Sequence, residues 1–190
     1  MLTNPQFRFC FDRSLQAATY LLKWTEGREM QYIHLLKMLY ITDREYLAEH
    51  GYTITGDKAV AMQYGPVLSR ILNLIQGKKS QAEIWRQFIQ TVPSRRTVRL
   101  IADPGIGELS RASMAKLDSV FERFGNLKPF QVVRLTHEFP EWENYYRDYT
   151  STPIPWQAIL RAQGEEKMIR IVKKQIELQA HQEALQEACR

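Results

Sequence analysis

Apolar residues recur along this 190-residue chain at helical spacing for most of its length. Phe11, Leu15, Ala18 and Leu22 are spaced by four, three and four, which predicts a helix from about Asp12, a good N-cap, to Gly27, a good stop. A second helix reads from about Met30 to His50 and ends at Gly51; between Leu35 and Ile41 it is apolar nearly all round, so it should run through the middle of the bundle. Pro66 is expected to open a third helix, where its missing N–H costs nothing, and Gly77 to close it. A short helix from about Ser80 to Thr91 follows, then one from Ser110 to Gly125 and one from Pro129. The second of these carries Phe130, Val132, Val133 and Leu135. The last helix begins near Glu165, but its final dozen residues lack a clean apolar face.

Period-two patterning is scarce. Ala59 to Gln63 alternates weakly and reads as a strand or an irregular loop, and Thr97 to Ile101 reads as a strand before the turn Asp103, Pro104, Gly105. The stretch from Phe139 to Trp156, with two Trp, three Tyr and three Pro, is expected to wrap the bundle as an aromatic loop. The fold class is therefore mainly α: a single helical domain with a small β-hairpin or short two-stranded element and a C-terminal helix. Residues 1–163 form the domain, and 164–190 a C-terminal helix and tail that also fit as part of it.

Composition changes this picture little. At 44% hydrophobic and 25% charged residues the chain has the make-up of a folded protein, and its size supports a core without disulfide or metal. No run approaches the roughly 20 apolar residues of a membrane span, because Lys37 interrupts the richest one. Residues Met1 to Phe11 show no secretory pattern, and Cys10 and Cys189 lack any CxxC spacing, so a reducing cytoplasm is the expected location. Charge is uneven: Val67 to Ala102 carries seven basic residues and one acid, while the whole chain sums to +5. That segment is a solvated face, or one that attracts nucleic acid or an acidic protein surface.

Catalytic patterns are missing. The four histidines have no metal-ligand spacing, there is no nucleophile elbow, P-loop or dinucleotide fingerprint, and neither an enzyme nor a cofactor is expected. Asp43 and Glu45, flanking Arg44, read as surface charge. Lys37, set in an apolar run, should snorkel or find a carboxylate. Tyr64 stands before Gly65 and Pro66 at a rigid corner, which suits both turn chemistry and recognition.

These residues carry a resemblance. His34, Lys37, Tyr40, Asp43 and Gly51, then Ile54, Thr55, Gly56, Asp57, then Val60, Ala61, Met62, Gln63, Tyr64, Gly65, Pro66, Val67, resemble the signature blocks of the Panacea-domain (SocA-like) antitoxin family. Leu135, Thr136, His137 and Pro155, Trp156 resemble its later L-S-H and P-W elements, with Thr in place of Ser, and the resemblance spans about residues 12 to 176. It implies a cytoplasmic antitoxin, often phage-associated as in GepA-like proteins, that neutralises a cognate toxin by direct protein–protein binding. Alternatives are a protease adaptor that delivers a partner for degradation and a nucleic-acid-binding regulator. The partner-binding candidates are Tyr64, Arg95, Arg96, Arg99 and Trp142.

Overall fold

The computed structural model describes residues 7–78 and 80–188, with side chains up to Leu178. Lys79, Cys189 and the side chains of the C-terminal tail, which entered the sequence reading, lie outside the described residues, as does most of the Met1 to Phe11 stretch. Helices α1 (Phe11–Lys23), α2 (Tyr32–His50), α3 (Ser69–Ile75), α4 (Ala82–Arg86), α5 (Arg111–Phe124), α6 (Pro129–His137), α7 (Pro140–Tyr145), α8 (Trp156–Ala162) and α9 (Glu166–Ala188) dominate. The protein is mainly α. No helix among the described residues is long and apolar enough to cross a membrane.

Helix α2 is the axis. Every residue from His34 to Asp43 is buried, as the all-round apolar pattern requires, and Gly51 ends the helix at φ +78° with its N–H on Leu47 O. Against it lie α1, through Leu15, Ala18 and Leu22, and α5, through Leu117 and Val120. Helix α1 stops at Trp24 rather than Gly27; Gly27 sits at φ +63° in a separate 3₁₀ turn, Glu26–Arg28. Among the described side chains of α9, Ile169 and Val172 are buried while Ile171 and Leu178 are exposed.

The β content is larger than expected. Instead of one hairpin or two-stranded element, the described residues form two three-stranded antiparallel sheets. In the first, β1 (Glu29–Gln31), β5 (Thr97–Leu100) and β4 (Ile89–Val92) pair in that order, with Met30 opposite Val98 and Thr91 opposite Val98 on the other side. The second has the order β3 (Gly65–Leu68), β2 (Ala59–Met62), β6 (Thr152–Pro153), with Val60 opposite Val67 and Pro153. Strands of two or three residues, such as β6 and β1, are too short to show alternation and exist only through their partners.

Three boundaries are corrected accordingly. Pro66 lies in β3, not at a helix start. The edge position tolerates its missing N–H, and α3 begins at Ser69 because the Asp57 carboxylate accepts from the N–H groups of Arg70 (3.0 Å) and Ile71 (2.9 Å). The predicted helix over Ser80 to Thr91 is helical only from Ala82 to Arg86, after which Ile89 enters the sheet. The aromatic stretch after Phe139 is not a loop: Pro140 opens α7, Thr152–Pro153 forms β6 and Trp156 starts α8.

Candidate partner-binding site

The β2–β3 hairpin rests on a buried lysine. Lys37 is fully buried on α2, and its Nζ donates to Pro66 O at 2.7 Å. It does not snorkel, and it meets no carboxylate among the described residues. Burial drives its pKa well below that of an ordinary lysine, which favours the neutral amine. Gly65 turns the hairpin at φ +87°, and a Cβ there would stand 2.7 Å from Thr136 Oγ1 and 2.8 Å from Lys37 Nζ. Only glycine lets the hairpin seat this closely on α2 and α6.

An aromatic stack supports the same hairpin from the side. The His137 ring lies on Trp142 (centroids 4.1 Å apart, planes within 6°), and Trp142 on Tyr146 at 4.9 Å. Trp142 Nε1 donates to Met62 O at 2.9 Å, tying α7 to the end of β2. Burial lowers the His137 pKa, against a backbone hydrogen bond with Gln63 that raises it.

On this base two large aromatic rings face outward. Tyr64 is 55% exposed and Phe130 58%, and they touch edge to face at 6.4 Å. The sequence reading placed Phe130 on this helix with Val132, Val133 and Leu135. The buried stripe of α6 runs through Val132, Val133 and Thr136, spaced by one and three, and Phe130 falls outside it.

The second group of motif residues builds the loop after α2. Asp43 is not surface charge: it is buried and accepts from the N–H groups of Ile54 (2.9 Å) and Thr55 (3.1 Å) and from the Thr55 hydroxyl. Burial pushes its pKa up to about 7 despite these bonds. Gly56 lies against the N-terminal segment, where a Cβ would stand 2.0 Å from Arg8 O. Tyr40 OH donates to the buried carboxylate of Glu141 at 2.9 Å, which Arg44 Nε also reaches at 2.5 Å, while the Arg44 guanidinium lies over Phe139. His34 Nε2 is bonded to Phe124 O at 2.9 Å.

The arginine candidates sit elsewhere, on the first sheet. Arg95 and Arg96 are exposed at the tip of the β4–β5 hairpin, Arg96 at φ +55°, whereas Arg99 is paired with Glu29. Trp156 is buried at the start of α8. No cluster of three or more potential metal ligands occurs among the described residues.

The model of the family described as "Antitoxin SocA-like, Panacea domain" matches residues 35–143, more than half of the chain. The protein is a member of the SocA-like Panacea-domain family. Searches of curated proteins and of solved structures give no match. Membership carries an antitoxin-type role in general terms, with a toxin as the general kind of partner.

Most Panacea motif residues named from the sequence prove to be buried supports: Lys37, Tyr40, Asp43, Gly65 and Pro66 hold the hairpin and the loop in place. Tyr64, beside the exposed Gln63, is the aromatic motif side chain that projects from them. Sequence reasoning gave no role to Glu141 and did not single out Phe130 as exposed. For Glu141 no local pattern distinguishes a buried acid from an exposed one; Phe130 stands three positions before the buried Val133, a spacing that by itself puts both on one face.

Proposed function

We propose that this Panacea protein is the antitoxin of a toxin–antitoxin pair and neutralises its cognate toxin by direct contact, through the face on which Tyr64 and Phe130 stand. The carrying observation is the pair itself: two exposed aromatic rings in contact, on a hairpin held by a buried lysine and a stacked His137–Trp142–Tyr146 support. Exposed aromatics on a rigid base lose little conformational freedom on binding and supply the anchors around which an interface of about 1,600 Å² is organised. The motif thus explains itself: its buried members present Tyr64.

The test is growth rescue, with the toxin taken as the growth-inhibiting protein encoded beside this chain. Tyr64→Ala with Phe130→Ala should abolish rescue and weaken binding by about 30-fold or more, the effect of losing about 2 kcal/mol. Circular dichroism and the thermal midpoint should stay at parental values, because both rings are exposed. Toxin abundance, followed by immunoblot during rescue by the parent, should be constant; a fall in abundance would favour delivery to a protease over blocking. Full rescue by the folded double variant would move the toxin contact off this face.

A further inference from the structure

A third large aromatic ring stands on the turn that joins α7 to β6. Tyr149 is 100% exposed, so its ring adds no packing to the fold. Its backbone lies at φ +58°, at the third position of a turn closed by Thr150 N on Arg147 O at 3.3 Å. Glycine is favoured at that position, because a Cβ in the left-handed region crowds the following carbonyl. The turn is nonetheless fastened. Thr150 Oγ1 donates to Arg147 O at 2.9 Å and lies 3.0 Å from Thr152 Oγ1, and Arg147 Nη1 donates to Tyr146 O at 2.6 Å.

Two independent connections set this turn beside the one that carries Tyr64. In the second sheet β2 and β6 run antiparallel with Val60 opposite Pro153 and Ala61 opposite Thr152, and continuing that register by two positions brings Thr150 level with Gln63. At the other end of the turn Tyr146 stacks on Trp142, whose Nε1 is on Met62 O. The chain from Tyr146 to Thr152 therefore leaves and returns at the Met62 end of β2. A specific interface takes about 800 Å² and about 20–30 residues from each partner, so a face centred on Tyr64 and Phe130 has to extend over its neighbours. A bulky residue in a strained backbone position that returns no packing costs the fold stability, and such positions concentrate where the chain meets a ligand or partner.

We propose that Tyr149 is a further anchor of the toxin-binding face, its ring entering an apolar pocket on the toxin beside the surface taken by Tyr64 and Phe130. A ring at the tip of a short turn is convex, and the surface that matches it is a pocket one ring wide, the setting in which tyrosine anchors contribute most. This inference rests on the toxin reading of the Tyr64–Phe130 face.

The test compares toxin Kd and thermal midpoint for the full chain, Tyr149→Asn, Tyr149→Phe, and the double variant Tyr64→Ala with Phe130→Ala, the toxin being the growth-inhibiting protein encoded beside this chain. Asparagine tolerates the left-handed backbone, so Tyr149→Asn keeps the turn and removes the ring. Its midpoint should hold or rise, while its Kd weakens by about 10-fold or more. Tyr149→Phe, which keeps the ring, should bind within about threefold of the parent. If the double variant loses the toxin and Tyr149→Asn keeps the parental Kd, this inference falls and the toxin face stands. If the double variant binds as the parent does, both fall. Equal losses in Tyr149→Asn and Tyr149→Phe would overturn the ring as the bound group, and a lower midpoint in Tyr149→Asn would mean that the ring serves the fold, which also overturns the assignment.

Discussion

At the scale of single residues, burial decides the chemistry of Asp43. In the unfolded chain its pKa is about 3.9, whereas the fold pushes it up to about 7 through desolvation. A carboxyl whose folded pKa is raised binds more protons in the native state, so its contribution to stability is complete below about pH 4 and is lost as pH rises toward 7. Asp57 is raised in the same direction by its own burial. The expected result is that Asp43→Asn flattens the decline in stability between pH 4 and pH 7 by a few kcal/mol, read as urea midpoints across that range. An unchanged slope would mean that Asp43 keeps an ordinary carboxylate pKa. In this variant the amide oxygen keeps the Ile54 and Thr55 N–H groups, and Nδ2 takes the position facing the Thr55 hydroxyl, which then accepts from it as well as from Asp57 N.

Between elements, single side chains act as rivets. Glu141 on α7 is bound by Tyr40 and Arg44 of α2, and its carboxylate is wholly buried. Glu141→Ala leaves a guanidinium and a phenol without their acceptor and should destabilise the fold by about 3–5 kcal/mol. Chemical denaturation measures this; a loss under 1 kcal/mol would show that water replaces the carboxylate. Gly56 plays a different part, since it lets the N-terminal segment cross close to the loop, where Cys10 N donates to Thr55 O. Gly56→Ala should lift that segment, so amide exchange at Cys10 should accelerate by an order of magnitude or more while the α2 core remains protected. Equal protection in both proteins would mean that the segment is held by Phe7 on Trp156 and Phe9 under Arg70 instead.

For the whole molecule, the uneven charge bears on the proposed encounter with a toxin. Arg95 and Arg96 project from the tip of the first sheet and have no carboxylate partner within ion-pair distance among the described residues, unlike Arg99 on Glu29. Replacing both with Ala should leave the thermal midpoint within about a degree, as isolated surface charges contribute little to stability. Association with the toxin should slow, and its salt dependence should flatten, while dissociation changes less. Stopped-flow rates at two ionic strengths test this. An association rate identical to the parent's at low salt would remove the hairpin tip from the approach path.

Local pattern was enough for the parts of the fold that depend on nearest neighbours along the chain. The buried axis α2 with its Gly51 stop, the stripe of α1, the Ser110 cap of α5, the Pro129 start of α6 and the motif blocks of the family were all legible, because helix periodicity and capping are encoded within a few residues. The rest was settled by contacts between distant segments. Pro66 became a strand because Ala61 pairs with it and Asp57 caps the helix beyond it; β6 exists because Val60 and Ala61 lie beside it. Lys37 and Asp43 carry the same charges on paper as any surface lysine or aspartate, and only the packing of the β2–β3 hairpin and the Ile54–Thr55 backbone around them makes one a buried donor and the other a buried acceptor. Tyr64 was visible at its corner from sequence alone. Its partner Phe130 lies 66 positions away, and only the packing of the hairpin against α6 brings the two rings together.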